Sequence, residues 1–365
     1  MIDTIVPQGN SSSAQLGLLL APAPVKGLTT FGAGLSAALR ARGAEVDVIE
    51  TCGIAPAVGD WVDRLNRSDI AIVEHTFDSD DDDILDVLDG LRVLSVVVIH
   101  TVPQKPDRRQ RAALSVLTAG ADHVIVMSDA ARQRLCASYG VPPRKVSTIP
   151  HGATVPTGPR GKRARRPTIL TWGWLGPGKG IERVIDAMAT LRDLPGHPNY
   201  LVAGPTHPRA LSGDTDAYRT ARITQAAELG VADSVTFDGG YYTGARLTEL
   251  ICQAAVVVLP YDSTDQVTSG VLVQAVAHGR PVVATAFPHA RELLGGGAGT
   301  IVDHDDPVAL ATALRQILTR PRLAGDMAAA ARDLAPQLAW SEVATDYLGV
   351  VRRLLAASVA RSEYS

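Results

Sequence analysis

Residues 254–302 contain the pattern that most restricts the fold of this chain. An apolar run at 254–259 is followed by a polar loop and then by a helix predicted to begin near Ser269 and end at Gly279. Pro281 precedes a second apolar run, at 282–286. Where a buried strand leads into a helix, unpaired backbone N–H groups and the helix dipole collect at the mouth of a parallel sheet. The pattern predicts a strand–helix–strand unit whose helix start can hold an anion, most often a phosphate.

Apolar runs alternate with helical patterns along the whole chain. One helix is predicted between a cap at Ser128 and an end at Gly140. Strands that alternate with helices form βαβ units and parallel sheets. We therefore predict an α/β protein made of two similar, doubly wound, Rossmann-like halves. The apolar runs of the two halves are 16–20, 46–49, 70–73, 95–99, 124–127 and 146–149, and then 168–172, 200–203, 234–237, 255–259, 282–286 and 300–302.

Composition narrows the class of protein. The 365 residues suffice for two domains of ordinary size, and a net charge of −3 gives no overall attraction for nucleic acid or anionic lipid. The 3 cysteines are far apart in sequence, which favours a reduced, cytoplasmic protein over a disulfide framework or a zinc site. No apolar run approaches the ~20 residues that a membrane-spanning helix needs. We predict a soluble protein, with peripheral membrane association left open.

A basic segment rich in Gly and Pro separates the two halves. Residues 157–167 read TGPRGKRARRP. We interpret 158–167 as a linker between an N-terminal domain, 1–157, and a C-terminal domain, 168–339. A polybasic site for nucleic acid or acidic lipid is the alternative, and a single short run supports it weakly. Residues 340–365 are predicted to form a last helix.

The acidic run at 78–83, DSDDDD, is the sequence feature that most resembles a metal site. Consecutive carboxylates repel one another and point in different directions, whereas a metal ion needs ligands that converge. We therefore interpret the run as a solvated loop in front of a helix, and we predict no metal site.

Residues 266–282 resemble the donor site of the retaining glycosyltransferases of family 4. The pattern of that family is a carboxylate, seven residues, a second carboxylate, and a run of small residues that ends in G-x-P-V. Gln266 and Gln274 occupy the two carboxylate positions, and 279–282 complete the frame. The resemblance implies the GT-B fold, in which two Rossmann-like domains face each other across a cleft and the last helix returns to the N-terminal domain.

The resemblance also assigns the donor phosphates. Family members usually carry G-R-L-x-x-x-K-G, where Arg and Lys neutralise the leaving diphosphate. Lys179 and Gly180 match that pattern, but Trp174 replaces the arginine. The resemblance implies that Lys179 stabilises the leaving group together with the helix N-terminus at Ser269, Gly270 and Val271. Gln266 and Gln274 would then hold the sugar hydroxyls and the ribose.

Further donor contacts are implied for loops that follow predicted strands. Gly204 lies in one such loop, and Gly240 and Tyr241 lie in another; in the family these loops line the pocket for the nucleotide base. Gly27 lies in the segment 21–30, which resembles the loop that contacts donor phosphate and acceptor. A plain turn between strand and helix is the alternative for Gly27.

His100 follows the apolar run 95–99, at the carboxyl end of a predicted strand. The family has a histidine here that approaches the sugar ring. We therefore predict His100, Lys179 and Gln266 as the catalytic residues, and a purely structural role for His100 stays open. His151 and Gly152 match the motif that closes the first domain of the family, and we expect them to pack near the cleft.

The resemblance implies a glycosyltransferase, in the class of hexosyltransferases, that moves a sugar from a nucleotide diphosphate sugar to a hydroxyl group. It implies neither a metal nor a cofactor. The base and sugar of the donor, and the acceptor, are not fixed by the sequence. Two alternatives stay open: a sugar phosphorylase or epimerase on the same fold, and a catalytically silent protein that binds nucleotide sugars.

Overall fold

The computed structural model describes residues 14–20, 27–51, 58–77, 82–158, 166–211 and 216–362. Strands and helices alternate through these ranges. The strands are β1 (Gln15–Leu20), β2 (Glu45–Glu50), β3 (Ile70–His75), β4 (Leu94–Ile99), β5 (His123–Val126), β6 (Val146–Thr148), β7 (Thr168–Trp172), β8 (Asn199–Ala203), β9 (Val235–Asp238), β10 (Val256–Leu259), β11 (Val282–Thr285) and β12 (Gly299–Val302).

In the described residues, a helix follows each strand except β6, and three helices follow the last strand. The helices are α1 (Gly27–Ala41), α2 (Val58–Leu65), α3 (Asp82–Gly90), α4 (Arg108–Gly120), α5 (Asp129–Tyr139), α6 (Ile181–Thr190), α7 (Ala217–Glu228), α8 (Gly244–Gln253), α9 (Gly270–Ala277), α10 (Pro288–Leu294), α11 (Pro307–Thr319), α12 (Pro321–Leu338) and α13 (Trp340–Ser362).

The described strands form two parallel sheets of six strands each. The N-terminal sheet has the order β2-β1-β3-β4-β5-β6, and the C-terminal sheet has the order β12-β11-β10-β7-β8-β9. Every pairing within them is parallel, such as Leu16 with Ile70 between β1 and β3. The prediction of an α/β fold with two doubly wound, Rossmann-like sheets is confirmed.

Both sheets are buried on both faces, as parallel sheets are. Alternate residues of a strand point to opposite faces, so Val256 and Val258 of β10 belong to one hydrophobic cluster and Val257 and Leu259 to another. This two-sided burial explains why the strands appear in the sequence as continuous apolar runs.

Helix α13 packs on the N-terminal domain although it follows the C-terminal sheet in the chain. Tyr347 is buried in the same cluster as Phe31 of α1. The entry to the helix is fixed by backbone hydrogen bonds: Ala153 donates to the carbonyl of Leu338 at 2.8 Å, and Trp340 donates to the carbonyl of Ala153 at 3.2 Å. The chain therefore returns to its first domain beside the junction of the two sheets.

Several predictions from the sequence fall on residues outside the described ranges. These residues include 21–26, in front of Gly27, most of the acidic run (78–81), and most of the predicted linker (159–165). The assigned domain boundaries stay a prediction. Within the described residues, no group of three or more His, Cys, Asp or Glu side chains is arranged to hold a metal ion. No helix in these ranges combines the length and apolar character needed to cross a membrane.

Candidate functional site

A cavity of about 890 Å³ lies between the two domains. It opens where the C-terminal sheet changes direction, between β7 and β10, which is where doubly wound sheets bind their ligands. Its volume is in the roughly 300–1,000 Å³ range of ligand pockets. Predicted site residues line much of its wall: His100, Trp174, Lys179, Gly204, Gly240, Tyr241, Gly270, Val271 and Gln274.

The charge of the cavity wall favours an anion. Of the described residues that line it, Lys179 and Arg42 carry positive charge, and none is an aspartate or glutamate. Arg42 Nη2 lies 3.5 Å from Glu342 Oε1, so a carboxylate already partners this arginine. Lys179 is therefore the lining cation best placed to serve a negatively charged ligand.

Lys179 is held over an aromatic ring. Its Nζ lies 4.5 Å from the ring centroid of Tyr261, and Tyr261 stacks on Phe287 with the centroids 5.5 Å apart. Burial lowers the pKa of Lys179. A cation–π contact offsets part of the cost of burying an ammonium group, and an anion bound beside it would offset more.

Glycines on both sides of Lys179 set the path of its loop. Gly178 has φ +87° and Gly180 has φ +66°, both in the left-handed region. A Cβ on Gly180 would come 1.8 Å from the carbonyl oxygen of Pro260, whereas a Cβ on Gly178 would meet no atom within 4 Å. Gly180 does not line the cavity; it lets the Lys179 loop pack against the end of β10.

Gly180→Ala should therefore destabilise the protein more than Gly178→Ala. Both substitutions incur the left-handed backbone cost of roughly 1–2 kcal/mol, but only Gly180→Ala adds a clash with backbone. The free energy of unfolding, measured by urea denaturation, compares the two variants directly. Equal losses for both would show that the contact with Pro260 does not constrain this loop.

Helix α9 begins at the cavity. Ser269 caps it, since its Oγ accepts the N–H of Leu272 at 3.2 Å, and Ser269 itself is buried. The first N–H groups of a helix have no partner inside the helix, and Gly270 and Val271 of this turn line the cavity. The predicted anion site thus lies at a helix N-terminus whose first two residues, Gly270 and Val271, are at the cavity wall.

Gln266 and Ser269, predicted as donor contacts, lie beside the cavity and are not part of its lining. The Nε2 of Gln266 donates to the carbonyl of Thr268 at 2.9 Å, so its amide is engaged within its own loop. Gln274, at the second carboxylate position, lines the cavity. Gly27 is the first residue of α1, and the loop before it is outside the described residues.

Trp174 fills the place of the missing arginine with an aromatic side chain. Its ring lies 5.8 Å from that of Tyr241 and 5.7 Å from that of His207, measured between centroids. In the described part of the chain, its Nε1 is buried without a hydrogen-bond partner. The cavity therefore presents an aromatic surface where the family pattern has a cation.

His100 lies at the end of β4 and lines the cavity from the N-terminal domain. Its ring meets Phe31 edge-on with the centroids 4.9 Å apart, and its Nε2 lies 3.8 Å from Oε2 of the buried Glu74. Burial, with smaller contributions from His151 and His75, lowers the pKa of His100 to about 3. The imidazole is neutral at neutral pH.

His151, which the sequence places near the cleft, also lines the cavity. Its Nδ1 donates to the carbonyl of Gly152 at 2.8 Å, and a carbonyl can only accept. Burial lowers its pKa to about 4, so Nε2 carries no proton at neutral pH. A Cβ on Gly270 would lie 3.0 Å from this Nε2. A glycine at this position therefore leaves room for the imidazole beside the helix start.

The sequence did not reveal the roles of two further residues. His289 of α10 is buried, and its Nδ1 accepts the N–H of Ser269 at 2.9 Å, which fixes the loop in front of α9. Trp340 begins α13 and lines the cavity, with its ring 5.4 Å from Phe31 and 6.0 Å from His151. His289 lies in the first turn of α10, four residues after the end of β11, and its place just beyond a strand was the available signal.

Two family models match the chain. Residues 166–320 match the model described as Glycosyl transferases group 1, and residues 55–155 match the model described as Glycosyltransferase Family 4. The first match contains Lys179 and the α9 start, and the second contains His100.

Similar proteins are known from Thermobifida fusca and Mycolicibacterium smegmatis. A D-inositol 3-phosphate glycosyltransferase of Thermobifida fusca is 29% identical over 265 residues, which are 69% of this chain and 59% of that protein. A GDP-mannose-dependent alpha-(1-6)-phosphatidylinositol monomannoside mannosyltransferase of Mycolicibacterium smegmatis is 30% identical over 243 residues, which are 62% of this chain and 60% of the relative. The chain thus spans about 60% of the length of these relatives.

Solved structures share the fold at low sequence identity. A glycosyltransferase from Rickettsia africae has a TM-score of 0.77 at 15% identity, covering 94% of this chain and 99% of that one. The Anabaena protein Alr3699/HepE in complex with UDP and glucose has a TM-score of 0.72 at 18% identity, covering 93% and 100%. Each half of the chain thus matches a glycosyltransferase family model, family 4 in the N-terminal half and group 1 in the C-terminal half, and the shared architecture is the GT-B fold.

Proposed function

We propose that this protein is a retaining glycosyltransferase that moves a sugar from a nucleotide diphosphate sugar to a hydroxyl group. One observation carries the proposal: an interdomain cavity without described lining carboxylates brings together Lys179, the N-terminus of α9 and His100. The names of the relatives support the activity, and the Anabaena structure holds UDP and glucose.

The reaction places negative charge where the cavity is positive. As the bond between the sugar and the diphosphate breaks, charge develops on the leaving phosphate oxygen. The ammonium of Lys179 and the N–H groups of Gly270 and Val271 at the start of α9 are fixed donors at the cavity wall. Donors that are already in place stabilise developing charge without reorganisation at the moment of reaction. The leaving group would therefore be stabilised by this wall of the C-terminal domain.

Retention follows from attack on the face that the leaving group vacates. The bond from the anomeric carbon to the phosphate oxygen breaks, the bond to the acceptor oxygen forms on the same face, and the acceptor proton moves to the departing phosphate oxygen. Such a step needs little help from a protein base. The neutral, buried His100 fits a positioning role in this mechanism.

Amides at the two positions where the family pattern has carboxylates fit this assignment. A buried carboxylate beside a diphosphate would add charge repulsion, and Gln274 at the cavity wall avoids it. An amide both donates and accepts hydrogen bonds. We assign sugar or ribose hydroxyls to Gln274, and to Gln266 once its amide leaves the carbonyl of Thr268.

Activity should survive exhaustive treatment with EDTA, because Lys179 and the α9 N-terminus supply the positive charge that a divalent ion would otherwise provide. The measurement is release of nucleoside diphosphate before and after chelation. Activity that disappears on chelation and returns with magnesium or manganese would contradict this assignment.

A panel of sugar nucleotides tests the proposed function. It should include uridine and guanosine diphosphate sugars, since the Anabaena structure contains UDP and the mycolicibacterial relative is named as GDP-mannose-dependent. Released nucleoside diphosphate, together with a product of unchanged anomeric configuration by NMR, is the expected result. Turnover that requires inorganic phosphate would indicate a phosphorylase, and a changed sugar without an acceptor would indicate an epimerase. Binding without turnover of any donor would indicate a silent binding protein.

A further inference from the structure

Arg134 of α5 joins the two loops that carry predicted catalytic residues. Its Nη1 donates to the carbonyl of Val102 at 2.5 Å and to the carbonyl of Asp265 at 3.2 Å, and it also pairs with the carboxylate of Asp265. Val102 is two residues beyond His100, and Asp265 directly precedes Gln266. The side chain of Arg134 is 12% exposed, and that of Asp265 is 38% exposed.

The second oxygen of Asp265 is also held by the N-terminal domain. The backbone N–H of Gln104 donates to Asp265 Oδ2 at 2.9 Å. Oδ1 of Asp265 thus contacts Arg134 of α5, and Oδ2 accepts a hydrogen bond from the loop that follows β4. Val267, two residues further on, is buried in the hydrophobic cluster of the N-terminal domain. The loop 265–269 belongs to the C-terminal domain by sequence and is docked on the other domain.

Helix α10 holds the other end of this loop. It also contacts α5, the helix that contains Arg134. Its Glu292 accepts the N–H groups of Asp129 at 3.0 Å and Ala130 at 3.1 Å, so a carboxylate from one domain caps α5 of the other. His289 of α10 accepts the N–H of Ser269. Helix α5 is therefore tied to both ends of the 265–269 loop.

We propose that Arg134 is a positioning residue for the sugar transfer: it sets the distance between the His100 loop and the 265–269 loop. The inference rests on the proposed function, because its catalytic consequence exists only if transfer takes place in the cavity. Arg134 itself is not among the described residues that line the cavity. It acts through Asp265 and Val102, and its Nη1 alone contacts oxygens of both residues.

Arg134→Ala should lower kcat by roughly 10- to 100-fold, the cost of misplacing reacting groups by about 1 Å. The KM for the donor should change much less, because Lys179 and the α9 N-terminus remain in place. Arg134→Lys keeps the charge opposite Asp265 but replaces the planar guanidinium with a compact ammonium on a different stem, so its kcat should fall between those of wild type and Arg134→Ala. Asp265→Asn should also lower kcat. The double variant with Arg134→Ala should have a kcat close to that of Arg134→Ala alone.

Arg132→Ala is the matched control on the same helix. Arg132 donates to the carbonyls of Val146 at 3.3 Å and Pro143 at 3.4 Å, both within the N-terminal domain. Its loss should leave kcat unchanged. If Arg132→Ala and Arg134→Ala lower kcat equally, the effect is one of general stability and the positioning role is overturned.

Hydrogen exchange of backbone amides tests this inference independently of the proposed function. Backbone amides of 265–269 should exchange faster in Arg134→Ala than in wild type or Arg132→Ala, whether or not any donor is turned over. A wild-type protein without turnover would refute the proposed function, and faster exchange would still support the coupling of the loops through Arg134. Unchanged exchange in 265–269 would overturn that coupling.

Discussion

Replacing His100 by alanine should lower turnover by one to three orders of magnitude and leave the affinity for nucleoside diphosphate almost unchanged. His100 faces the cavity from the N-terminal domain, whereas Lys179 and the α9 start belong to the C-terminal domain. Loss of the imidazole would let the donor sugar shift against the acceptor. Misplacement of this kind costs roughly 10²-fold for about 1 Å. Turnover and calorimetric titration with nucleoside diphosphate measure the two effects separately.

The pH–rate profile distinguishes a positioning role of His100 from a role as general base. Burial lowers the pKa of His100 to about 3, so the ring stays neutral from about pH 5 to 8, where an ordinary histidine would titrate. His100→Ala should therefore lower the profile in this range without changing its shape. Loss of a limb of the profile with an apparent pKa near 6–7 would instead identify His100 as a titrating base.

His123→Ala is the control for loss of a buried histidine from the same sheet. His123 begins β5, and its Nε2 shares a 2.8 Å hydrogen bond with Ser147 Oγ. It is not among the described residues that line the cavity, so its loss should reduce stability and not turnover. If His100→Ala binds nucleotide much more weakly, or turns over as fast as wild type, then His100 has a structural role only.

The features predicted correctly from the sequence are those that local chemistry determines. The caps of α5 show this: Ser128 Oγ accepts the N–H of Ala131 at 3.0 Å, and Gly140 ends the helix with φ +70°. The apolar runs likewise become strands because parallel strands are buried on both faces. These signals lie within a few residues of the elements that they define.

The features that the sequence did not predict depend on contacts between distant parts of the chain. Arg134 and Asp265 are 131 residues apart, and Ser269 and His289 are 20 residues apart. No period or local motif relates such pairs, because their meeting depends on how the domains dock. Gln266 is a different case: its amide donates to the carbonyl of Thr268, two residues away, and the motif gave no signal of this contact. The assigned roles of the site residues stay predictions until variants are measured.

Lys179→Ala should lower turnover by about 10- to 100-fold. A hydrogen bond to a charged group contributes roughly 1.5–3 kcal/mol, and each 1.36 kcal/mol of barrier is about tenfold in rate. The loss should be larger in kcat than in donor affinity, because the charge on the leaving phosphate increases as the bond breaks. The measurement is steady-state release of nucleoside diphosphate, with donor affinity from titration.

The aromatic substitution at Trp174 makes this test sharper than it would be with the family's usual arginine. With Trp174 in that place, no second cation is expected beside the diphosphate, and Arg42, the other described cation of the cavity lining, is paired with Glu342.

Lys179→Arg keeps the charge and should retain more activity than Lys179→Ala. Lys145→Ala removes a lysine whose Nζ binds the carbonyl of Ala119 in the N-terminal domain, and it should not change turnover. An unchanged turnover number in Lys179→Ala would mean that the diphosphate binds elsewhere, because removing a charged donor from the place where negative charge develops should lower the rate.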